Sequence, residues 1–220
     1  MYQLHITQGN KKIDHTFNIS LPPISVCANL PCYKICYARA AYDMYPDVKK
    51  AWGNNLDFFL NDPKNYFRAI IIFILSESQP VRFFRWHVGG EIVNDTYFEG
   101  MKQVALACPK TRFMVFSKRY HLHSQTWPKN LQVNFSSHPD MEMPQEVIDN
   151  HPIAWMNDGL EPRIETVGKK PFLCLGHCAD CRKCWNLTRL KRDVIFNVHG
   201  ARASKKHLKP IKKRKVAVHA

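Results

Sequence analysis

The amino-acid sequence predicts an α/β fold, a partial (β/α) barrel of parallel strands with a C-terminal cysteine-rich loop and a flexible basic tail. Three observations predict it. The middle of the chain alternates strand-like and helix-like segments, which is typical of parallel strands joined by helical crossovers. Polar residues follow each predicted strand. Cysteines cluster near both ends of the chain, and Lys and Arg are concentrated after them.

Two helices and four strands are predicted along the middle of the chain. One helix opens at Asp62-Pro63 and ends before Pro80, and a second opens at Asp95 or Thr96, because these residues cap a helix or form its first turn. Hydrophobic runs predict the strands at Val81–Val88, Phe113–Phe116, Leu131–Phe135 and Ile153–Met156.

The length and composition favour one domain with additions. A chain of 220 residues with 45% hydrophobic residues can bury a core without disulfides. We assign residues 1–190 to that domain, with a cluster loop at 174–184, and residues 191–220 to the tail. The N-terminus lacks the apolar segment of a secretory signal, and the apolar stretch Ala69–Leu75 is too short to span a bilayer. A reducing, cytoplasmic location without membrane contact is therefore expected.

Seven of the eight cysteines fall into two groups, and thiolates in a reducing compartment favour metal binding over disulfides. The C-terminal group has an x3, x2, x2 spacing, which resembles ferredoxin-type ligation more than the two separated pairs of a zinc site. Zinc remains the alternative metal. The two groups are Cys27, Cys32 and Cys36, and Cys174, Cys178, Cys181 and Cys184.

The N-terminal group has three cysteines and no evident fourth ligand. Three thiolates on a 4Fe-4S cluster leave one iron open to a substrate or cofactor, unless a residue from elsewhere closes the site. The seven cysteines allow one shared cluster or two separate clusters. Cys108 lies in an apolar run, so we predict that it is a small buried side chain.

The residues after the predicted strands supply the other candidates, because strand carboxyl ends meet on one face of a parallel barrel. Gly89 and Gly90 allow close backbone approach, and the Glu91 carboxylate can accept from a cofactor or substrate ammonium. His87 is a candidate catalytic group or a buried core residue. Lys118 can meet an anionic substrate group or remain solvated. Ordinary loop chemistry is the alternative for each.

Two resemblances follow from these motifs. The cysteine group and the Gly89-Gly90-Glu91 segment resemble, in order, the cluster loop and cofactor-contacting segment of radical S-adenosylmethionine enzymes. The cysteine spacing here is x4 then x3, where those enzymes have x3 then x2. The resemblance implies that S-adenosylmethionine binds, with Glu91 at its amino group, and that an electron donor reduces the cluster.

The second resemblance covers most of residues 20–190. The chain is similar to the phage and plasmid "gene product 88" family, which carries three short motifs and a C-terminal cysteine group. This resemblance implies an architecture rather than an activity, and a location in the cytoplasm of a bacterial host. The motifs are Cys36-Tyr37-Ala38, His87-Val88-Gly89 and Phe116-Ser117-Lys118.

The basic tail predicts nucleic-acid binding. The formal net charge is +14, and the last thirty residues hold ten Lys or Arg and one acidic residue. A flexible polycation releases counterions from a phosphate backbone, so nucleic-acid affinity is its expected consequence. The alternative is a solvated tail without a partner. The residues that we expect to contact nucleic acid are Lys205, Lys206, Lys209, Lys212, Lys213, Arg214 and Lys215.

The sequence thus supports two hypotheses. In the first, the chain is an iron-sulfur protein, a radical S-adenosylmethionine-like enzyme with an open-site cluster. In the second, it is a nucleic-acid-binding accessory protein without enzymatic activity, and metal only stabilises its fold. The substrate and the oligomeric state are not encoded in any motif.

Overall fold

The computed structural model describes residues 3–9, 16–27, 30, 32–33, 36–138, 140–157 and 171–197. One eight-stranded sheet organises them. Its strands are β1 (Ile6–Gln8), β2 (Phe17–Ile19), β3 (Phe83–Trp86), β4 (Arg112–Ser117), β5 (Leu131–Ser136), β6 (Ile153–Asn157), β7 (Phe172–Leu173) and β8 (Val194–Asn197).

The strands lie in the order β1-β2-β3-β4-β5-β6-β8-β7. Every neighbouring pair is parallel except β1 and β2. The α/β class and the parallel pairing are therefore confirmed. The sheet is open, because β1 and β7 are its two edges, so no closed barrel is formed by the described residues. All carboxyl ends from β2 to β8 point to the same edge, which we call the carboxyl edge.

Helices occupy the connections between the strands. The longest is α3, which begins with proline as its first residue, and α4 begins in the same way, because a first-turn proline loses no helical hydrogen bond. The helices are α1 (Pro23–Cys27), α2 (Tyr37–Met44), α3 (Pro46–Asn61), α4 (Pro63–Ser76), α5 (Asp95–Ala107), α6 (Gln145–Asn150), α7 (Cys178–Cys181) and α8 (Leu187–Leu190), with 3-10 turns at Tyr120–Ser124 and Lys183–Trp185.

The predicted caps are confirmed for one helix and differ for the other. The Asp62 side chain accepts from the backbone N–H of Asn65 at the start of α4. At α5 the capping side chain is Asn94, which accepts from the Tyr97 N–H at 2.9 Å, and not Asp95 or Thr96. Asparagine, aspartate and threonine are all good caps, and backbone geometry selects among the three adjacent residues.

The first face of the sheet carries the main hydrophobic core. Alternate residues of β3 and β4, such as Phe84, Trp86 and Phe113, are fully buried there. They pack with the apolar sides of α3, α4 and α5 in one continuous cluster. Alternation along a strand places the remaining residues on the opposite side.

The second face carries a smaller core that no long helix covers. Met114 and Ala154 pack there against Trp185 and Leu187 from the C-terminal segment. The covering segment is 172–197, which contains β7, α7, α8 and β8. We call it the cysteine segment, because Cys174, Cys178 and Cys184 belong to the same cluster.

Two further features differ from the sequence prediction. The two N-terminal strands were not predicted, because each has only three residues and no long hydrophobic run. Strand β8 lies beyond residue 190, inside the segment assigned to the tail, so the sheet extends to Asn197. The tail residues from Lys205 to Lys215 lie outside the described residues. None of the described helices is long and apolar enough to cross a membrane.

Candidate metal centre

The N-terminal cysteines lie at the carboxyl edge, directly after β2. Cys27 is the last residue of α1, and Cys36 precedes the first residue of α2. Cys27 is buried, whereas Cys32 and Cys36 are half-buried. We call these three residues the edge group. These residues therefore follow β2, which is the first parallel strand of the sheet.

Gly89 and Gly90 bring the loop after β3 close to the segment that carries the edge group. The Leu21 N–H donates to the Gly89 carbonyl at 3.0 Å. A Cβ atom at Gly89 would lie 2.4 Å from the Trp52 ring, and one at Gly90 would lie 2.8 Å from the Leu21 carbonyl oxygen. Gly90 also has a φ of +93°, which favours glycine. Close packing within the chain thus accounts for both glycines.

Arg119 fixes the edge group from the end of β4. Its Nε donates to the Ile92 carbonyl at 3.1 Å, and its Nη2 donates to the Val26 carbonyl at 3.3 Å. Val26 precedes Cys27. The Tyr37 hydroxyl, next to Cys36, donates to the Val88 carbonyl at 2.6 Å. No sequence motif predicts this tethering role of Arg119, because a guanidinium that binds backbone carbonyls has no sequence signature.

The thiols of the edge group are close enough to influence one another. Burial raises the pKa of the Cys27 thiol, and the charges of Glu91, Cys32 and Cys36 raise it further. Burial also raises the pKa of the Cys32 thiol, while the Lys118 ammonium lowers it. The Cys27 and Cys32 thiols are therefore neutral without a metal, and binding a metal to them would release protons.

Glu91 and Lys118 lie beside these thiols, as predicted for two residues that follow adjacent strands. Glu91 is only 4% exposed. Its Oε1 accepts from the Ile92 N–H at 2.8 Å, and its Oε2 accepts from the Lys118 N–H at 2.8 Å. A carboxylate has about four acceptor positions, so Glu91 joins the loops after β3 and β4 and still has capacity for another donor.

His87 lies in the helix-covered core rather than among the thiols. It is 4% exposed, and its Nε2 lies 3.0 Å from the Tyr97 hydroxyl, which lies 3.0 Å from the Tyr66 hydroxyl. Its Nδ1 is buried, and no described residue provides a hydrogen-bond partner for it. Burial lowers the pKa of His87 to about 3. These surroundings match the alternative interpretation of the sequence, in which His87 is a buried core residue. A catalytic role for His87 stays a prediction.

Tyr120 and His138 join the same edge and were not proposed as site residues. The Tyr120 hydroxyl donates to the Ser136 carbonyl at 2.7 Å, and burial raises its pKa, as do the nearby charges of Cys32 and Glu91. His138 is 7% exposed, and its Nδ1 accepts from the Asp140 N–H at 3.1 Å. Because Nδ1 accepts, the proton of the neutral ring is on Nε2. The position of His138 after β5 was the available sequence signal.

The C-terminal cysteines form a second group, on the second face of the sheet. Cys174, Cys178, Cys181 and Cys184 all line one cavity of about 330 Å³. We call them the face group. Trp185 closes one side of the cavity, and its ring lies 5.5 Å from the Phe83 ring. The Asn134 amide of β5 donates to the Cys184 carbonyl at 3.0 Å, which fixes the group to the sheet.

The face group is buried unevenly. Cys184 is 8% exposed, and burial together with the charges of the other three thiols raises its pKa to about 12. Burial also raises the pKa of Cys178. Cys181 is exposed. Arg182 and Gly176, which flank the thiols, have positive φ values of 49° and 80°, so the chain curls around the cavity.

The two groups lie at different places, one at the carboxyl edge and one over the second face. The eight cysteines are all free thiols. Cys108 is 2% exposed in the main core, as predicted for a small buried side chain. Among the described residues, no three His, Cys, Asp or Glu side chains stand close enough to hold a metal ion in their present positions. Both groups still offer clustered thiols, which are the donors that soft metals prefer.

These features define an α/β protein with an open, mostly parallel sheet and two separate groups of free cysteines. The chain belongs to the gene product 88 family, whose family model matches residues 3–187. That match covers β1 through the start of α8, including both cysteine groups. Searches among curated proteins and among solved structures give no match. The resemblance to radical S-adenosylmethionine enzymes stays a prediction.

Proposed function

We propose that this chain is an iron-sulfur protein with two clusters. The edge group, Cys27, Cys32 and Cys36, holds a 4Fe-4S cluster with one open iron, and the face group holds the second cluster. One observation carries the proposal: three thiols, a buried carboxylate and an ammonium group meet at the carboxyl edge of adjacent parallel strands. In open α/β sheets this edge is where ligands bind.

The donor sets fit such clusters. Each group provides several thiols in a short stretch of chain, and the Fe–S clusters of proteins are held by cysteine thiolates. The edge group provides three thiols, so a cluster there has a free corner, whereas the face group provides four and saturates its cluster. Lys118 offsets part of the negative charge that three thiolates bring to a buried site.

A cluster with an open iron supplies one-electron chemistry to a ligand bound at that iron. We propose S-adenosylmethionine as that ligand. The Glu91 carboxylate, held by two backbone N–H groups, accepts from its ammonium group through the remaining acceptor positions. Gly89 and Gly90 hold the loop against Leu21 and Trp52. Lys118 binds an anionic group of the substrate.

The strand order also supports this function. From β2 to β6 the neighbours follow one another in sequence order, all parallel, as in a (β/α) barrel that has been opened. We propose that the sheet is such a partial barrel, with the edge group at its mouth. The face group then lies on the side of the sheet that faces away from helices α3 to α5.

Anaerobic purification followed by iron, sulfide and zinc analysis tests the metal. We expect about eight irons per chain, because each cubane holds four, and a brown chromophore. Stoichiometric zinc without a chromophore would refute the iron-sulfur proposal. The Cys32→Ser variant should lose the edge cluster and retain the other, while Cys108→Ser, a buried cysteine outside both groups, serves as the matched control and should retain both.

The enzymatic part of the proposal is tested separately. The reduced protein is mixed with S-adenosylmethionine, and 5′-deoxyadenosine and a spectral change of the edge cluster are measured. Glu91→Gln removes the charge that binds the ammonium group, so we expect weaker binding with the cluster content unchanged. If iron is present but neither cleavage nor a spectral change occurs, the protein is not an enzyme of this class.

The charge distribution supports a second function, nucleic-acid binding. Ten Lys or Arg and one acidic residue occupy the last thirty residues, and such a segment binds phosphate backbones by counterion release. We propose that residues Lys205 to Lys215 bind DNA or RNA without sequence preference. Removing residues 201–220 should weaken binding and flatten its dependence on salt. Unchanged binding by the truncated protein would contradict this role.

A further inference from the structure

Arg85 is a cation without a carboxylate partner beneath the face group. It is the third residue of β3, and alternation along the strand puts it with Phe83 on the second face. Its guanidinium carbon lies 5.7 Å from the centroid of the Phe116 ring. Its Nε is buried, and within the described part of the chain it has neither a hydrogen-bond acceptor nor an acidic partner.

Arg85 as a whole is half-buried, so the unsatisfied part of its guanidinium is the buried Nε. Arginine stays protonated in proteins, and a buried N–H normally has a hydrogen-bond acceptor. Arg85 pairs in register with Met114 of β4, and Met114 belongs to the same core cluster as Cys174, Cys178 and Cys184. Strand register thus places the cation on the part of the sheet that the face group covers.

A second unpartnered donor lies at the cavity of the face group. Trp185 lines it and is 4% exposed, yet its indole Nε1 is buried without an acceptor among the described residues. An indole N–H that is buried normally finds a partner. One donor on the sheet and one in the cysteine segment therefore lack acceptors near a cavity that four cysteines line. Thiolate and sulfide sulfur atoms of a bound cluster are acceptors for such N–H groups.

We propose that Arg85 is a positioning residue of the second cluster, donating to its sulfur atoms and supplying counter-charge, so that it sets the reduction potential. This inference rests on the proposed function. A nearby positive charge and N–H···S bonds favour the reduced cluster, which carries one more negative charge. Arg85 therefore raises the potential at which the cluster accepts an electron.

The test compares Arg85→Met and Arg85→Lys with Arg82→Met, which removes an exposed arginine just before the same strand. All three are made in a chain that lacks the edge cluster through C27A, C32A and C36A, and the signal of the second cluster is followed in a potentiometric titration. We expect Arg85→Met to lower the ratio of reduced to oxidised cluster about tenfold, which is 59 mV for a one-electron couple. The potential of Arg85→Lys should lie between those of the parent and Arg85→Met, and Arg82→Met should leave the potential unchanged.

The outcomes separate the two proposals. If the parent protein contains no iron at the face group, the proposed function fails, and this inference fails with it. If the cluster is present and Arg85→Met has the potential of the parent, only this inference fails. Loss of the cluster from Arg85→Met, with retention in Arg85→Lys and Arg82→Met and an unchanged circular dichroism spectrum, supports the same role. If the chain with C27A, C32A and C36A does not fold, the Arg85 and Arg82 variants are made in a chain that keeps these three cysteines. The signal of the second cluster is then identified as the one that persists in Cys32→Ser.

Discussion

The two faces of the sheet are covered in different ways. Helices α3 to α5 cover the first face, and aromatic rings of the helices pack against those of the strands. The Phe73 ring of α4 lies 5.1 Å from the Phe17 ring of β2, and the Tyr97 ring of α5 lies 6.2 Å from the Trp86 ring of β3. The cysteine segment covers the second face with short helices of four residues each. The first face has the larger apolar core, whereas the second has fewer apolar residues and includes several thiols.

This difference indicates what metal would do at each group. Short segments that cannot bury enough apolar surface are usually stabilised by a cross-link such as a metal. The face group lies inside the second core, so its cluster would hold that core together. Two of the three thiols of the edge group are half-buried and lie at the rim of the sheet. We therefore propose that metal at the face group would be structural, whereas metal at the edge group would be free to act on a ligand.

The largest expected effect separates the two groups. Cys184→Ser should remove the second cluster and expose the second core, at a cost of about 3 kcal/mol, or roughly 6–12 °C in Tm. Cys36→Ser should remove the edge cluster with little change in Tm, because Cys36 is half-buried and its side chain makes no cap bond. Iron analysis and calorimetry measure both. Equal losses of stability in the two variants would contradict the division into structural and functional groups.

The next prediction compares two glycines with positive φ, one near each group. Gly90→Ala should cost about 2–4 kcal/mol, because its Cβ would lie 2.8 Å from the Leu21 carbonyl oxygen in addition to the strain of φ +93°. Gly176→Ala at φ +80° has nothing within 4 Å of its Cβ, so backbone strain of about 1 kcal/mol is all that is expected. Urea unfolding gives both values. Similar costs for the two variants would show that the chain shifts in Gly90→Ala and removes the short contact with the Leu21 carbonyl oxygen.

Arg119 gives a smaller effect that is confined to the edge group. Arg119→Met removes the bonds to the Ile92 and Val26 carbonyls, and hydrogen bonds from a charged donor contribute about 1.5–3 kcal/mol. We expect the variant to lose the edge cluster to a chelator faster than the unmodified protein does, and to lose the second cluster at the same rate as the unmodified protein. Arg68→Met, an exposed arginine on α4, is the control. Parallel loss of both clusters would contradict a local role.

The elements that the sequence predicted correctly are those with a strong local pattern. Strand β4 and helix α4 have long apolar runs, and Asp62 caps α4 as expected. Strands β2 and β8 have three and four residues, and pairing with β3 and β6 forms them. That pairing joins residues far apart along the chain, which no local pattern encodes.

The same distinction holds for the site. The position of Glu91 beside Lys118 follows from the rule that strand carboxyl ends meet at one edge, and the structure places them there. Arg85 could have been assigned to the second face from the alternation in Phe83-Phe84-Arg85-Trp86, but nothing local indicates that the cysteine segment covers it. The division of seven cysteines into two separate groups depends on that same tertiary packing.

The smallest effect concerns pH and belongs to the helix-covered face. His87 is buried against Tyr97 and has a pKa of about 3, chiefly because of burial and secondarily because of the Arg85 charge. In the unfolded chain its pKa returns to about 6.5. At pH values between about 3 and 6.5, His87 is protonated in the unfolded chain but not in the folded protein. Stability is therefore lost as the pH falls from about 6.5 towards 3. For this one group the loss between pH 7.5 and 5.5 is about 1.4 kcal/mol.

His87→Asn tests this because asparagine does not titrate and tolerates the observed φ of 57°. We expect the variant to be less stable at neutral pH, where it loses the ring packing, but to lose about 1.4 kcal/mol less than the parent when the pH falls from 7.5 to 5.5. His121→Asn, at an exposed histidine beside Asp95, should retain the pH dependence of the parent. Identical pH profiles for His87→Asn and the parent would mean that His87 has the same pKa in the folded protein as in the unfolded chain. In that case acid would act on the molecule through the thiol groups or the carboxylates rather than through the helix-covered core.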